Sequence, residues 1–140
     1  MSDSHEELEE GSRLQLDFGK LRAIAETPEE VVPVVVQCVE TNQVLILAYA
    51  NQLALEESLK RGLAVFWSTS RNELWVKGAT SGDTLKLVEV RVNCEQNSLL
   101  YRVRKSGKGS CHTKRNNGHS RSGCFYRRLT GGGQLENLEP

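Results

Sequence analysis

Two uncharged, β-branched runs lie close together in the first half of the chain, Val34-Val35-Val36-Gln37-Cys38-Val39 and Val44-Leu45-Ile46-Leu47-Ala48-Tyr49, parted only by Glu40-Thr41-Asn42-Gln43. Short runs of this kind suit buried strands, and a polar spacer of turn length joins them as a hairpin. Everything else must pack against that hairpin. Pro33 opens the first strand, where its missing N–H costs least. Asn51 then suits the N-cap of a helix whose Leu55 and Leu59 share one face, and Gly62 suits its end.

A second hairpin is expected from Ala64-Val65-Phe66-Trp67 and Leu74-Trp75-Val76-Lys77, joined through the turn-forming Ser68 to Glu73 segment. Trp67 and Trp75 read as core or interface aromatics. From Leu85 to Asn93 the chain alternates, with Leu85 and Leu87 on one face and Lys86, Val88, Val90 and Val92 on the other, and Leu99 to Val103 should pair with it. Cys38 lies inside an apolar run and reads as core. The expected architecture is mainly β (α+β class), mostly antiparallel, with one capping helix.

A chain of 140 residues suits one domain. Residues 1–13 are polar and acidic and read as a disordered tail, residues 14–130 as the domain, and 131–140, opening with three glycines, as a flexible tail. No apolar run is long enough for a membrane span and the N-terminus lacks a signal-peptide pattern, so the expected location is the cytoplasm, where thiols stay reduced. Net charge is zero, but unevenly spread. Glu6 to Glu10 make one end acidic, whereas every charged residue between Ser98 and Gly133 is basic: Arg102, Arg104, Lys105, Lys108, Lys114, Arg115, Arg121, Arg127 and Arg128. Such a block points to an anionic partner, most simply the phosphates of a small molecule.

Three of the four cysteines, Cys94, Cys111 and Cys124, lie in or just before a stretch of Gly, Ser, Asn, Lys and Arg that cannot build a core. Three thiolates converging on zinc would hold such a loop, and an open fourth position would let the ion activate water. The alternative is three unrelated thiols, some buried as small hydrophobes. If the strand ending at Asn93 runs on through Asn97, then Asn93, Glu95 and Asn97 share the face opposite Cys94, an oxygen set for a hard cation. The plainer reading of those residues is a solvated turn, and it is the stronger on the residues alone.

Taken in order, Leu16-Asp17-Phe18, Val32 to Gln37, Leu45 to Asn51, Phe66-Trp67-Ser68-Thr69-Ser70-Arg71, Leu74-Trp75-Val76-Lys77-Gly78, Thr80-Ser81-Gly82 and Cys111-His112-Thr113 resemble the phosphoribosyl-AMP cyclohydrolase family of histidine biosynthesis. The resemblance implies an intertwined homodimer with an antiparallel β pseudo-barrel and helical cap. It implies zinc held by Cys94 of one subunit with Cys111 and Cys124 of the other. The implied reaction is hydrolysis of the N1–C6 bond of the adenine ring. The implied substrate is a bis-phosphorylated purine nucleotide, with Ser68, Arg71, Lys77, Thr80, Ser81 and Gly82 at motif positions that bind it. His112 is the candidate for proton transfer, with a role as fourth zinc ligand as the alternative; His119 reads as solvated.

The family's magnesium motif, Asp-Cys-Asp-x-Asp, aligns with Asn93-Cys94-Glu95-Gln96-Asn97, so one formal charge stands where three are expected and magnesium binding should be weakened. Thr69 replaces a usual Arg, and the loop to Cys124 is longer, the added stretch being about Lys114 to Ser120. These departures support a divergent paralogue hydrolysing another purine nucleotide or a weakened enzyme; a separate alternative is a structural-zinc module whose basic loop meets nucleic acid, the less expected partner.

Overall fold

The computed structural model describes residues 2–107 and 109–140; Lys108 of the basic block and Met1 of the acidic tail lie outside them. Among the described residues three helices, α1 (Ser2–Glu10), α2 (Lys20–Ala25) and α3 (Gln52–Arg61), accompany eight strands: β1 (Val32–Cys38), β2 (Val44–Ala50), β3 (Val65–Ser68), β4 (Glu73–Val76), β5 (Leu85–Val92), β6 (Leu99–Lys105), β7 (Arg127–Gly131) and β8 (Gln134–Asn137). One sheet has the order β2-β1-β6-β5, and two hairpins, β3-β4 and β7-β8, stand beside it. The class is mainly β with a few helices, as the strand patterns require. Among the described residues no barrel closes, and β1 runs parallel to β6.

The β1–β2 hairpin forms where the β-branched runs lie, with Val34 opposite Ala48 and Val36 opposite Ile46. Pairing of β1 with β6 begins only at Val34, so Pro33 gives up no bond on that side. Val34, Val36, Cys38, Leu45, Phe66, Leu85, Tyr101 and Val103 are almost wholly buried and form the centre of the core. At roughly 25 cal/mol per Å² of apolar surface, each such large side chain contributes about 1.5–3 kcal/mol.

Asn51 caps α3, its Oδ1 accepting from the Ala54 N–H at 2.8 Å, and Gly62 ends the helix in the left-handed region at φ 68°. The buried face differs from expectation. Ala54 and Ser58 are fully enclosed, Leu55 only packs against the edge of the core, and Leu59 is exposed. Small residues allow the helix to approach β3 closely: Ser58 Oγ accepts from the Val65 N–H at 3.0 Å and lies 3.3 Å from the Tyr101 hydroxyl. Leucines on that face would hold the two elements apart. The alternation of β5 is also interrupted. A bulge between Leu87 and Glu89 leaves Val88 exposed and turns Val90 towards the core with Leu87.

The strand does not continue beyond Val92. Asn93 to Asn97 form a turn in which Gln96 adopts φ 56° and the Asn93 N–H donates to Ser98 O. Both ends of the chain are also more ordered than their composition suggests. The acidic segment read as a disordered tail is helical over α1, and the residues after the glycine turn form β8. α1 is held by Arg121 and Tyr126, and β8 pairs with β7.

Candidate functional site

The loop from Gly109 to Cys124 folds back on itself. Ser110 N–H donates to Ser122 O, Cys111 N–H to Arg121 O and Arg121 N–H to Thr113 O, which sets residues 110–113 alongside 120–124. The added stretch makes the tip of this hairpin: Lys114 bridges to Ser120, and Gly118 takes φ 86° in a turn closed by its N–H to Arg115 O. Gly109 is needed at the base, since a Cβ there would meet Arg121 O at 2.4 Å. The returning limb is fastened to the core hairpin, the Cys124 N–H donating to Leu45 O at 2.7 Å.

This folding brings two of the three candidate cysteines together. The neighbouring Cys124 thiol outweighs burial and, with the Thr113 hydroxyl at 3.0 Å, brings the Cys111 thiol down to about 5. The same contact, added to desolvation, pushes Cys124 far up. The two side chains bring a pair of sulfur donors together, suited to a soft cation. Cys94 lies elsewhere, exposed on the Asn93–Asn97 turn, and among the described residues no three His, Cys, Asp or Glu side chains converge.

A pocket of about 500 Å³ opens beside the pair, lined by Arg71, Trp75, Lys77, Thr80, Ser81, Asp83, Cys111, His112 and Lys114 among others. Lys77 is 7 % exposed, and burial lowers its pKa against the attraction of Asp83, Cys124 and Cys111. Most of the expected binding residues thus meet at one place. Ser68 does not line the pocket; its Oγ accepts from the Arg71 backbone N–H at 3.2 Å and orients that residue. Gly82 supplies the turn instead, at φ 83° with its N–H on Gly78 O. Asp83, Lys114 and Trp75 were not among the expected site residues; Asp83 has no sequence signal beyond following the Thr80-Ser81-Gly82 turn. His112 lines the pocket with an exposed ring, and His119 is exposed.

Four residues of the basic block are paired within the fold. Arg121, 2 % exposed, pairs with Glu10, Arg115 with Glu139, Arg128 with Glu136 and Arg102 with Glu89. The acidic ends thus offset part of the loop's charge, and the cations lining the pocket are Arg71, Lys77 and Lys114, of which Arg71 also pairs with Glu73 at 3.6 Å.

The sequence profile of the family described as phosphoribosyl-AMP cyclohydrolase matches residues 46–126. The phosphoribosyl-AMP cyclohydrolase of Archaeoglobus fulgidus is 46 % identical over 101 residues, 72 % of this chain and 87 % of that protein. That of Hyphomonas neptunium is 44 % identical over 102 residues, 73 % of this chain and 72 % of its own length. This chain belongs to the phosphoribosyl-AMP cyclohydrolase family. A histidine biosynthesis bifunctional protein from Aquifex aeolicus is 39 % identical over 103 residues, which is 47 % of its length, so this cyclohydrolase-family chain corresponds to one part of it. The matched stretch contains the pocket and both clustered cysteines, whereas α1 and β8 lie outside it. Among the described residues no helix is long and apolar enough to cross a membrane.

The Asn93–Asn97 segment, where the resemblance implies magnesium, is closed on itself. Asn93 Oδ1 accepts from the N–H groups of Asn97 and Ser98 at 2.9 and 3.0 Å, and Asn93 Nδ2 donates to Asn97 Oδ1 at 2.7 Å. Both amide oxygens are already engaged in closing the turn, so the three side chains do not form an open oxygen set and do not fit a hard divalent cation.

Proposed function

We propose that this protein hydrolyses the N1–C6 bond of the adenine ring of phosphoribosyl-AMP in histidine biosynthesis, using zinc held by Cys111 and Cys124 of one chain and Cys94 of a second copy in a homodimer. The observation that carries the reading is the meeting of Cys111, with Cys124 beside it, and Lys77, Arg71, Thr80, Ser81 and His112 around one pocket. Cys94 is exposed and remote from the pair within one chain, which is the arrangement a shared site requires.

Water adds its oxygen to C6, the N1–C6 bond breaks, and the two protons of that water end on N1 and on the exocyclic nitrogen, so the ring opens without loss of ammonia. The product is the ring-opened formimino-type imidazole carboxamide nucleotide. Zinc, when bound, supplies Lewis-acid activation of the attacking water. The chain supplies the rest. Lys77 and Arg71 bind the phosphates, the Thr80 and Ser81 hydroxyls add donors, and the hairpin of residues 109–124 shields one side of the pocket. His112 moves protons between water and the leaving nitrogen, a contribution of about a hundredfold or more. Magnesium has no part in this scheme, because Asn93 and Asn97 bind each other.

Purified protein should open the adenine ring of phosphoribosyl-AMP, followed spectroscopically, and lose that activity with a strong chelator. Cys94→Ser, Cys111→Ser and Cys124→Ser should each lose zinc, and His112→Ala should keep it while turnover falls. Full zinc in all three cysteine variants, or ring opening undiminished by metal removal, would overturn the zinc site. Turnover of a different purine nucleotide with phosphoribosyl-AMP untouched would replace the substrate.

A further inference from the structure

Glu9 and Glu10, adjacent at the end of α1, each reach into the loop that carries the site. Glu10 makes two 2.8 Å hydrogen bonds with the buried Arg121 guanidinium. The Tyr126 hydroxyl donates to Glu9 O at 2.8 Å and Arg127 Nη1 to Gly11 O at 2.9 Å. The end of the helix is therefore fixed from several directions, and with it the place of the Glu9 side chain. Its Oε2 lies 2.5 Å from His112 Nε2, and His5 Nε2 is 3.5 Å from the same oxygen.

The His112 side chain is 74 % exposed while that of Glu9 is 26 % exposed, so the anchored partner is the carboxylate and the ring is the part that would otherwise turn freely. An exposed imidazole samples several rotamers, and placing it at a reacting atom costs conformational entropy that a prior hydrogen bond removes. With Nε2 donating to Glu9, Nδ1 is the nitrogen left for the pocket side. The helix that provides this contact lies outside the stretch matched by the family, residues 46–126, so family membership does not supply it.

We propose that Glu9 is a positioning residue for His112: α1 straps the loop through Glu10 and Arg121 and presents the Glu9 carboxylate to hold the His112 ring at the mouth of the pocket. This rests on the assignment of proton transfer to His112.

The test uses the full-length protein with zinc bound. Glu9→Ala should lower kcat about tenfold or more, as loss of a supporting hydrogen bond commonly does, with KM and zinc content unchanged. In a His112→Ala background the same substitution should cost nothing further. The ring nitrogen resonances of His112 should shift in Glu9→Ala, reporting the lost partner. Equal loss in both backgrounds would make the contact a general structural one and overturn the proposal, as would unchanged kcat or unchanged ring resonances. Normal turnover of His112→Ala alone would overturn the role given to the histidine, and the resonances separately report whether Glu9 holds the ring, so the two failures are told apart.

Discussion

Arg121→Met removes the charged centre of the contact between the loop and the N-terminal helix while keeping an aliphatic body over Tyr126. The guanidinium is 2 % exposed, gives two 2.8 Å bonds to Glu10 and one of 2.9 Å to Glu139 O, and lies 4.3 Å over the Tyr126 ring. Hydrogen bonds to charged groups contribute about 1.5–3 kcal/mol each, so three represent roughly 5–9 kcal/mol before rehydration. The Glu10 side chain is 40 % exposed and regains water when its partner is lost, which offsets much of this. The net cost should be about 3 kcal/mol, or about 10 °C in Tm for a chain of this size. Urea unfolding at fixed protein concentration, followed by tryptophan fluorescence, measures it. Replacing both partners, as Glu10→Leu with Arg121→Met, should cost at least about 1 kcal/mol less than the sum of the single changes.

The dependence on pH has a definite sign. The hydrogen bond from Arg121 holds the Glu10 carboxyl below its ordinary value of 4.5, so its contribution is complete above that value and is lost as pH falls through the lowered one. The gap between parent and Arg121→Met should be level from pH 7 to 5 and close on further acidification. A gap under about 0.5 kcal/mol at pH 7, within the range of ordinary surface changes, would refute the argument, as would strict additivity or a gap that widens in acid.

Asn93→Asp with Asn97→Asp should raise magnesium affinity and, without the ion, weaken the turn by about 1–2 kcal/mol, since two carboxylates replace a donor–acceptor pair. Calorimetric titration decides it: tight magnesium binding by the parent, or no gain in the double variant, would count against the closed turn. In metal-free protein one thiolate per chain should absorb in the ultraviolet down to about pH 5, where Cys111 takes its proton. Cys124→Ala should move the midpoint up, and absence of thiolate at pH 7 would remove the pair's contact from the account.

What can be read from the residues is what local chemistry decides. The β-branched runs, the Asn51 cap, the Gly62 stop and the aromatic hairpin all follow from near neighbours, and Cys111, Thr80 and Ser81 lie at the pocket. The features that escape depend on partners that periodicity and composition do not see. The strand beyond Val92 gives way to a turn because Asn93 bonds Asn97, an alternative to pleated pairing that alternation cannot register. The helix buries a face other than the leucine one because a close approach favours Ala54 and Ser58 over larger residues. Composition makes the acidic N-terminus look disordered, and its partners, chief among them the buried Arg121 111 residues away, are far along the chain.

The attachment of Cys124 to Leu45 reaches beyond the pocket. β2 is an edge of the four-stranded sheet and carries no charge, and edge strands of that composition invite pairing with other chains. Three contacts lay the returning limb of the loop along that edge: the Cys124 N–H donates to Leu45 O, Gly123 lies close against the backbone of Val44 and Leu45, and Gln43 Nε2 donates to Ser122 Oγ. The loop that holds the cysteines is thus also the cover of an aggregation-prone strand. Any change that loosens it for the sake of a new substrate uncovers the Val44–Leu45 end of that edge at the same time, so solubility limits how far this site can diverge.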